Sequence, residues 1–241
     1  MLGRIGIARR SAYRFYHSVD HTVSRKSSID HVILDKALTY IPRFGFHEQC
    51  ITQAIRDMSY PDSLSGVFSS GNNKDFEVVL HWLKFNRNKL HGDILDPTDQ
   101  FHAIKNEYDR VTYLINKRLE SNIAIKPYLH QALAQLVVPY NIPSSLEELH
   151  QLSDDIAFYA GDNSNDFAWY LKRMGLSTVY VSSELYMLQD TSENFRDTKE
   201  FVKEKVDSLR SLGTGYTNIE QWAAFNGISL INLIKSQLLR G

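Results

Sequence analysis

"YNIPSSLEELHQLSDDIAFYAGDNSNDFAWYLKRMGL", residues 140–176, decides the fold. Pro143-Ser144-Ser145 opens one helix and Gly161 closes it. The turn Gly161-Asp162-Asn163-Ser164-Asn165 opens another, which runs to about Asp190. "STVYVSS" is the longest β-like run in the chain and lies inside that helical frame. Asp166, Trp169, Tyr170 and Arg173 recur at i, i+3, i+4 and i+7 and therefore share one helix face. A core stripe would be apolar and a solvated stripe polar; this one is neither. In one reading the helix is capped by Ser164 or Asn165, Asp166 meets the positive end of its dipole, and Arg173 covers Trp169 as a cation–π neighbour. In the other the face is a recognition surface. Phe167, Leu171, Met174 and Thr178 already supply an apolar stripe, and aromatics with Arg are the residue types that anchor interfaces.

Working outward, the helical signal persists from Ile29. "IDHVILDKALTYIPRFGF" (29–46) turns Ile33, Ala37, Leu38 and Ile41 to one side and stops at Pro42 and Gly45. "HEQCITQAIRDM" (47–58) is a second short helix with Cys50, Ile51, Ala54, Ile55 and Met58 inward. "YPDSLSGVF" (60–68) is a third, opened by Pro61. "KDFEVVLHWLKFNRNKL" (74–90) is longer. "TDQFHAIKNEYDRVTYLINKRLES" (98–121) repeats Phe101, Ile104, Tyr108, Val111 and Ile115 at the helical period. Helices over 125–138 and 192–212 follow, and Gly213-Thr214-Gly215 precedes a last helix from about Thr217. The expectation is an all-α bundle of about ten helices with a short-helix N-terminal subdomain.

Composition narrows the function. At 43% hydrophobic and 23% charged residues the chain is ordinary globular material, and no window approaches the roughly 18 apolar residues of a spanning helix. Cys50 is the sole cysteine, which excludes an internal disulfide and a multi-cysteine metal site. The first 28 residues carry six cations and one acid and are rich in Ser and Arg, the composition of an organelle transit peptide. A basic disordered tail is the alternative. Arg14-Phe15-Tyr16 before His17-Ser18 is a candidate processing point. The remainder has 21 cations against 27 acids, a net of −6, which opposes a phosphate backbone as partner.

Motifs for chemistry are thin. In a helix-turn-helix the second helix needs Arg, Lys, Asn or Gln to read bases; "SYPDSLSGVFSSG" (59–71) has no Lys or Arg and contains Asp62. Glu147–His150 has the Glu-x-x-His spacing of a di-iron ligand pair, but no second copy exists, so an acid-rich helix start explains it better. His47-Glu48 lacks the second histidine of a zinc helix, and nucleophile-elbow, phosphate-loop and dinucleotide motifs are missing. Asp154, Asp155 and Asp162 read as helix caps rather than acid/base pairs. No catalytic residue, metal site or cofactor is expected.

Four strings identify the chain more narrowly: "ALTYIPRFGF", "HWLKFNRNKL", the segment from Tyr140 to Arg173, and "SSELYMLQDTSENFRDTKEFV" (182–202). They resemble the mitochondrial accessory family of ubiquinone (coenzyme Q) biosynthesis, the ninth Coq protein, over roughly residues 30–240. That resemblance implies a TetR-like, lipid-binding fold with a degenerate helix-turn-helix subdomain. It divides the chain into a transit segment (1–28), the N-terminal subdomain (29–91), a lipid-binding body (92–212) and an amphipathic membrane-docking helix (216–240). It implies a patch of Asp166, Trp169 and Tyr170, with Ile156 beside it, that engages the di-iron demethoxyubiquinone hydroxylase, and it places a lipid head group on Arg173. A guanidinium pairs bidentately with phosphate, which makes that role chemically reasonable.

The last helix, "TNIEQWAAFNGISLINLIKSQLLR" (217–240), shows a wide apolar stripe through Ile219, Ala223, Leu230, Leu233, Ile234 and Leu238. Burial against the domain or a homodimer mate is one reading. Membrane docking through Trp222, Leu230, Leu233, Ile234 and Leu238 is the reading the resemblance favours. The functional expectation is a non-catalytic protein on the matrix side of the inner membrane. It would bind isoprenoid quinone intermediates and phospholipid, shelter the tail while exposing the ring, and serve the hydroxylase and the rest of the quinone-biosynthesis complex. A ligand-responsive DNA regulator is the alternative, although the net charge expects no nucleic acid.

Overall fold

The computed structural model describes residues 28–69, 73–162 and 167–212. Among them are nine α-helices and no strand. The first three are short: α1 (Ile29–Leu38), α2 (Ile41–Phe44) and α3 (Gln49–Asp57). Pro42 sits in the first turn of α2, where its missing N–H costs nothing. The 60–68 segment forms a 3-10 helix (Asp62–Ser69) rather than a regular recognition helix, and Asp62 in its first turn is ion-paired to Arg56 of α3 at 3.1 Å. α4 (Lys74–Leu95) begins at Asn73, whose side chain accepts from the Asp75 N–H.

The helix expected over 98–121 divides. Asp99 caps a 3-10 turn at Gln100–Ala103, and Asn106 caps α5 (Glu107–Glu120) by accepting from the Tyr108 N–H. Each side chain offers the backbone a local acceptor that a continuous helix would not use. α6 (Lys126–Leu136), α7 (Ile142–Ala160), α8 (Phe167–Gln189) and α9 (Arg196–Leu212) complete the body. Gly161 ends α7 in the left-handed region, φ 92°, which suits a residue without a Cβ. Gly175 answers a different need. A Cβ there would lie 2.5 Å from a Leu209 methyl, so glycine is what lets α8 and α9 approach.

Two apolar cores result. One joins α1, α3 and the first half of α4 to Leu129 and Ala132 of α6. The other gathers α5, α7, α8 and α9 around Leu90 and Ile94 at the far end of α4. α4 thus serves both, and a boundary at residue 91 falls inside it. The helices α7 and α8 pack on each other, with α5 against α7 and α9 against α5 and α8. Among the described residues no helix is long and apolar enough to cross a membrane.

Candidate functional site

The acids read as caps on α7 turn out to be something else. Asp154 and Asp155 are neighbours, and the helical rotation between them aims one at α8 and the other at α4. Asp155 accepts from Arg87 Nη1 at 3.1 Å, and the same guanidinium donates to Glu148 at 2.7 Å and Gln151 at 2.7 Å. Burial works against the Arg87 charge, but Glu148 and Asp155 outweigh it and hold the guanidinium above its ordinary value. Asp154 accepts from Arg173 Nε at 2.6 Å; Arg173 Nη1 also donates to Asp162 at 2.9 Å and to the Trp169 carbonyl at 3.3 Å. Lys172 reaches Asp162 at 2.8 Å and Glu107 of α5. α7 is therefore pinned to α4 and α8 by buried charge, and Lys172 ties α8 to α5.

Arg173 lies within this charge lattice. It is 4% exposed, engaged with two carboxylates, and is not among the residues lining the cavity described below. A guanidinium spent in this way is a poor head-group ligand. Its carbon lies 3.8 Å from the centre of the Trp169 ring, so it supports that ring from beneath. Ile156 also lies inside. At 1% exposure it belongs to the main core, because Asp155 and Ala157 on either side of it already face neighbouring helices.

Trp169 is half-buried, edge-on to Tyr170 at 4.7 Å and to His150 of α7 at 6.0 Å. Tyr170 is 66% exposed and Met174, one turn on, is exposed too. Asp166 and the docking residues Trp222, Leu230, Leu233, Ile234 and Leu238 lie outside the described residues, as does the transit segment apart from Ser28.

Beside this charge lattice lies a cavity of about 550 Å³ walled by α4, α5, α6, α7 and α8. Leu83, Leu133, Leu136, Val137, Leu149 and Leu152 are among the apolar residues of its wall. That volume falls in the range of roughly 300–1,000 Å³ typical of pockets for compact organic ligands. At its open side Ile142 and Leu146 are exposed, Leu146 by 58%. At its closed side stand Arg118, Tyr180 and Glu184, all buried. Arg118 Nη1 donates to Asn122 at 3.1 Å; Asn122 in turn donates to Glu184 at 2.7 Å, and the Tyr180 hydroxyl donates to the same Glu184 oxygen at 3.0 Å. Burial pushes the Tyr180 phenol well up, so it stays protonated and keeps donating. Sequence reading missed Arg87, Arg118, Tyr180 and Glu184. One signal was present: Arg118 sits on the apolar stripe of α5 with Val111, Leu114 and Ile115.

Among the described residues no group of three or more His, Cys, Asp or Glu is placed to hold a metal ion. Glu147 and His150 are both exposed on α7, and His150 faces Trp169 instead.

Comparison with known proteins settles the family. A family model described as COQ9 matches residues 142–213, which cover α7, α8 and α9. "Ubiquinone biosynthesis protein COQ9, mitochondrial" of Saccharomyces cerevisiae is 32% identical, the match covering 95% of each chain. The chain belongs to the COQ9 family. The Schizosaccharomyces pombe COQ9 protein is also 32% identical, over 93% of this chain and 87% of its own. The human COQ9 protein is 28% identical over 78% of this chain and 59% of its own. These COQ9 relatives are named as mitochondrial ubiquinone-biosynthesis proteins. Among solved structures, a TetR transcriptional regulator from Nitrosomonas europaea superposes with a TM-score of 0.55 at 15% identity, covering 73% of this chain and 95% of its own. That likeness establishes the TetR-like fold of this chain and nothing about its ligand.

Proposed function

We propose that the chain is a non-catalytic, lipid-binding accessory protein of ubiquinone biosynthesis. It takes a polyprenyl quinone intermediate from the mitochondrial inner membrane and passes it to the di-iron demethoxyubiquinone hydroxylase. The observation that carries this reading is the apolar cavity between α4 and α8 in a chain of the COQ9 family. A polyprenyl tail gains roughly 0.8 kcal/mol per buried CH₂ and will not cross water unsheltered. A protein with a greasy interior lowers that barrier without bond chemistry. Exposed Tyr170 and half-buried Trp169, together with the Asp166 that the family resemblance adds, form the contact for the hydroxylase, and Arg173 braces Trp169 from below. The last helix docks on the membrane through Trp222, Leu230, Leu233, Ile234 and Leu238, and the protein works from the matrix side.

Native mass spectrometry of the purified full chain tests the ligand. A co-purifying isoprenoid quinone is expected, and phospholipid alone would oppose the reading. Leu149→Trp, which fills the cavity from α7, is expected to abolish that co-purification while the fold persists.

A further inference from the structure

The closed end of the cavity holds a cation that the protein itself leaves short of acceptors. Arg118 is 1% exposed. Its guanidinium lies 4.9 Å from the Trp82 ring centre and 5.7 Å from that of Tyr180. Among the described residues it donates to Asn122 alone, and its Nε has no acceptor. Burying a guanidinium with one hydrogen bond is costly, and packing hydrocarbon against it would make the loss permanent.

We propose that this end receives a neutral hydrogen-bond acceptor, the carbonyl oxygen of a quinone ring. The ring then lies innermost, and the tail runs out past Ile142 and Leu146. This rests on the lipid-carrying function proposed above and fixes which end of the ligand enters first. It reverses the ring-outward arrangement expected from the sequence.

Three features select this chemistry. The lining contains two arginines, Arg87 and Arg118, and two glutamates, Glu148 and Glu184. Arg87 is paired directly with Glu148, and Arg118 is linked to Glu184 through Asn122. The charges already balance, so a phosphate would add an unmatched anion where a carbonyl adds none. Next, a cavity of about 550 Å³ takes a compact head with the first part of a chain and leaves the rest of a long tail outside. Finally, the exposed leucine and isoleucine are at the open side, where an emerging tail needs apolar cover. In this arrangement the ring is stored away from water, and transfer to an enzyme requires it to withdraw along the path by which it entered.

The test uses the full chain and three probes: a benzoquinone bearing two isoprene units, a benzene bearing the same tail, and a short-chain diacylglycerol, whose ester carbonyls are the other neutral acceptor a membrane offers. The quinone is expected to bind about tenfold or more tighter than the hydrocarbon, as a charge-assisted hydrogen bond predicts. Arg118→Met is expected to erase that preference while retaining binding of the hydrocarbon. If the variant keeps the preference, the ring assignment is wrong although the carrier function stands. If diacylglycerol is the probe that depends on Arg118, the ring assignment is likewise wrong. If none of the probes binds the natural chain, the carrier function itself falls. A second measurement needs no change at Arg118. With Trp169→Phe and Trp222→Phe, Trp82 is the one remaining tryptophan. Quinones quench indole fluorescence at short range, so the quinone probe is expected to quench Trp82 in step with binding. Binding without quenching places the ring at the open side and overturns the proposal.

Discussion

Arg173→Ala removes the guanidinium that faces buried Asp154 and Asp162. Breaking a buried ion pair from one side costs about 3–5 kcal/mol. Asp162 keeps Lys172 at 2.8 Å, which favours the lower end of that range. Loss of the stacking on Trp169 adds roughly 0.5–1 kcal/mol. The total is about 4 kcal/mol, and at roughly 2–4 °C per kcal/mol for a domain of this size the melting temperature falls by about 8–16 °C. Urea unfolding of delipidated protein, followed by circular dichroism, measures this without ligand interference. Asp154→Asn in the Arg173→Ala background is expected to recover part of the loss, with a coupling of about 1–3 kcal/mol. A variant that unfolds within about 1 kcal/mol of the natural chain, yet binds lipid poorly, would refute this reasoning. It would return Arg173 to the head-group role that the family resemblance assigns it.

Other perturbations probe separate elements. Burial alone would raise the Asp190 carboxyl, but hydrogen bonds from Ser192 and from the Thr198 N–H and hydroxyl outweigh it and hold the group at about 2. A folded value below the unfolded one stabilises above about pH 4 and is lost as pH falls toward 2, a contribution of about 2–3 kcal/mol. Asp190→Asn should flatten that acid limb in a stability–pH titration. Ile156→Ala should cost about 2–5 kcal/mol by opening a core void. Tyr170→Lys should stay within about 0.5 kcal/mol of the natural chain while hydroxylase capture on a resin is lost. Tyr170 is a cleaner probe than Trp169, because lysine at 169 would also meet Arg173. Gly161→Ala should lower the urea midpoint by the equivalent of about 1–2 kcal/mol from backbone strain alone, since the nearest atom to its Cβ, Arg110 Nη1, is 3.6 Å away.

The helices around residues 140–176 were legible because their limits are local: a proline near the start of α7, a glycine at its end, and periodic apolar residues between. The break before α5 was not, because Phe101, Ile104 and Tyr108 keep the helical period while Asp99 and Asn106 interrupt the backbone beneath it. Asp154 and Asp155 misled for a different reason. Acids near a helix end look like caps until their partners are known, and those partners, Arg87 and Arg173, lie 68 and 19 residues away. Ile156 was assigned to a surface by family position, whereas its neighbours' ion pairs fix it inward. The cavity was illegible in principle. Leucines that line a void and leucines that fill a core obey the same periodicity, and only the arrangement of α4 to α8 separates them.

The grip on α7 is uneven along its length. From Glu148 onward it is fastened by Arg87 and Arg173, whereas the residues before that, from Ile142 to Glu147, present Leu146 to solvent at the cavity's open side. The helix thus resembles a door leaf hung on a guanidinium hinge, with its free edge at the N-terminal turn. Widening for a bulky passenger falls to that edge, so amide hydrogen exchange should be faster at 145–147 than one turn further in.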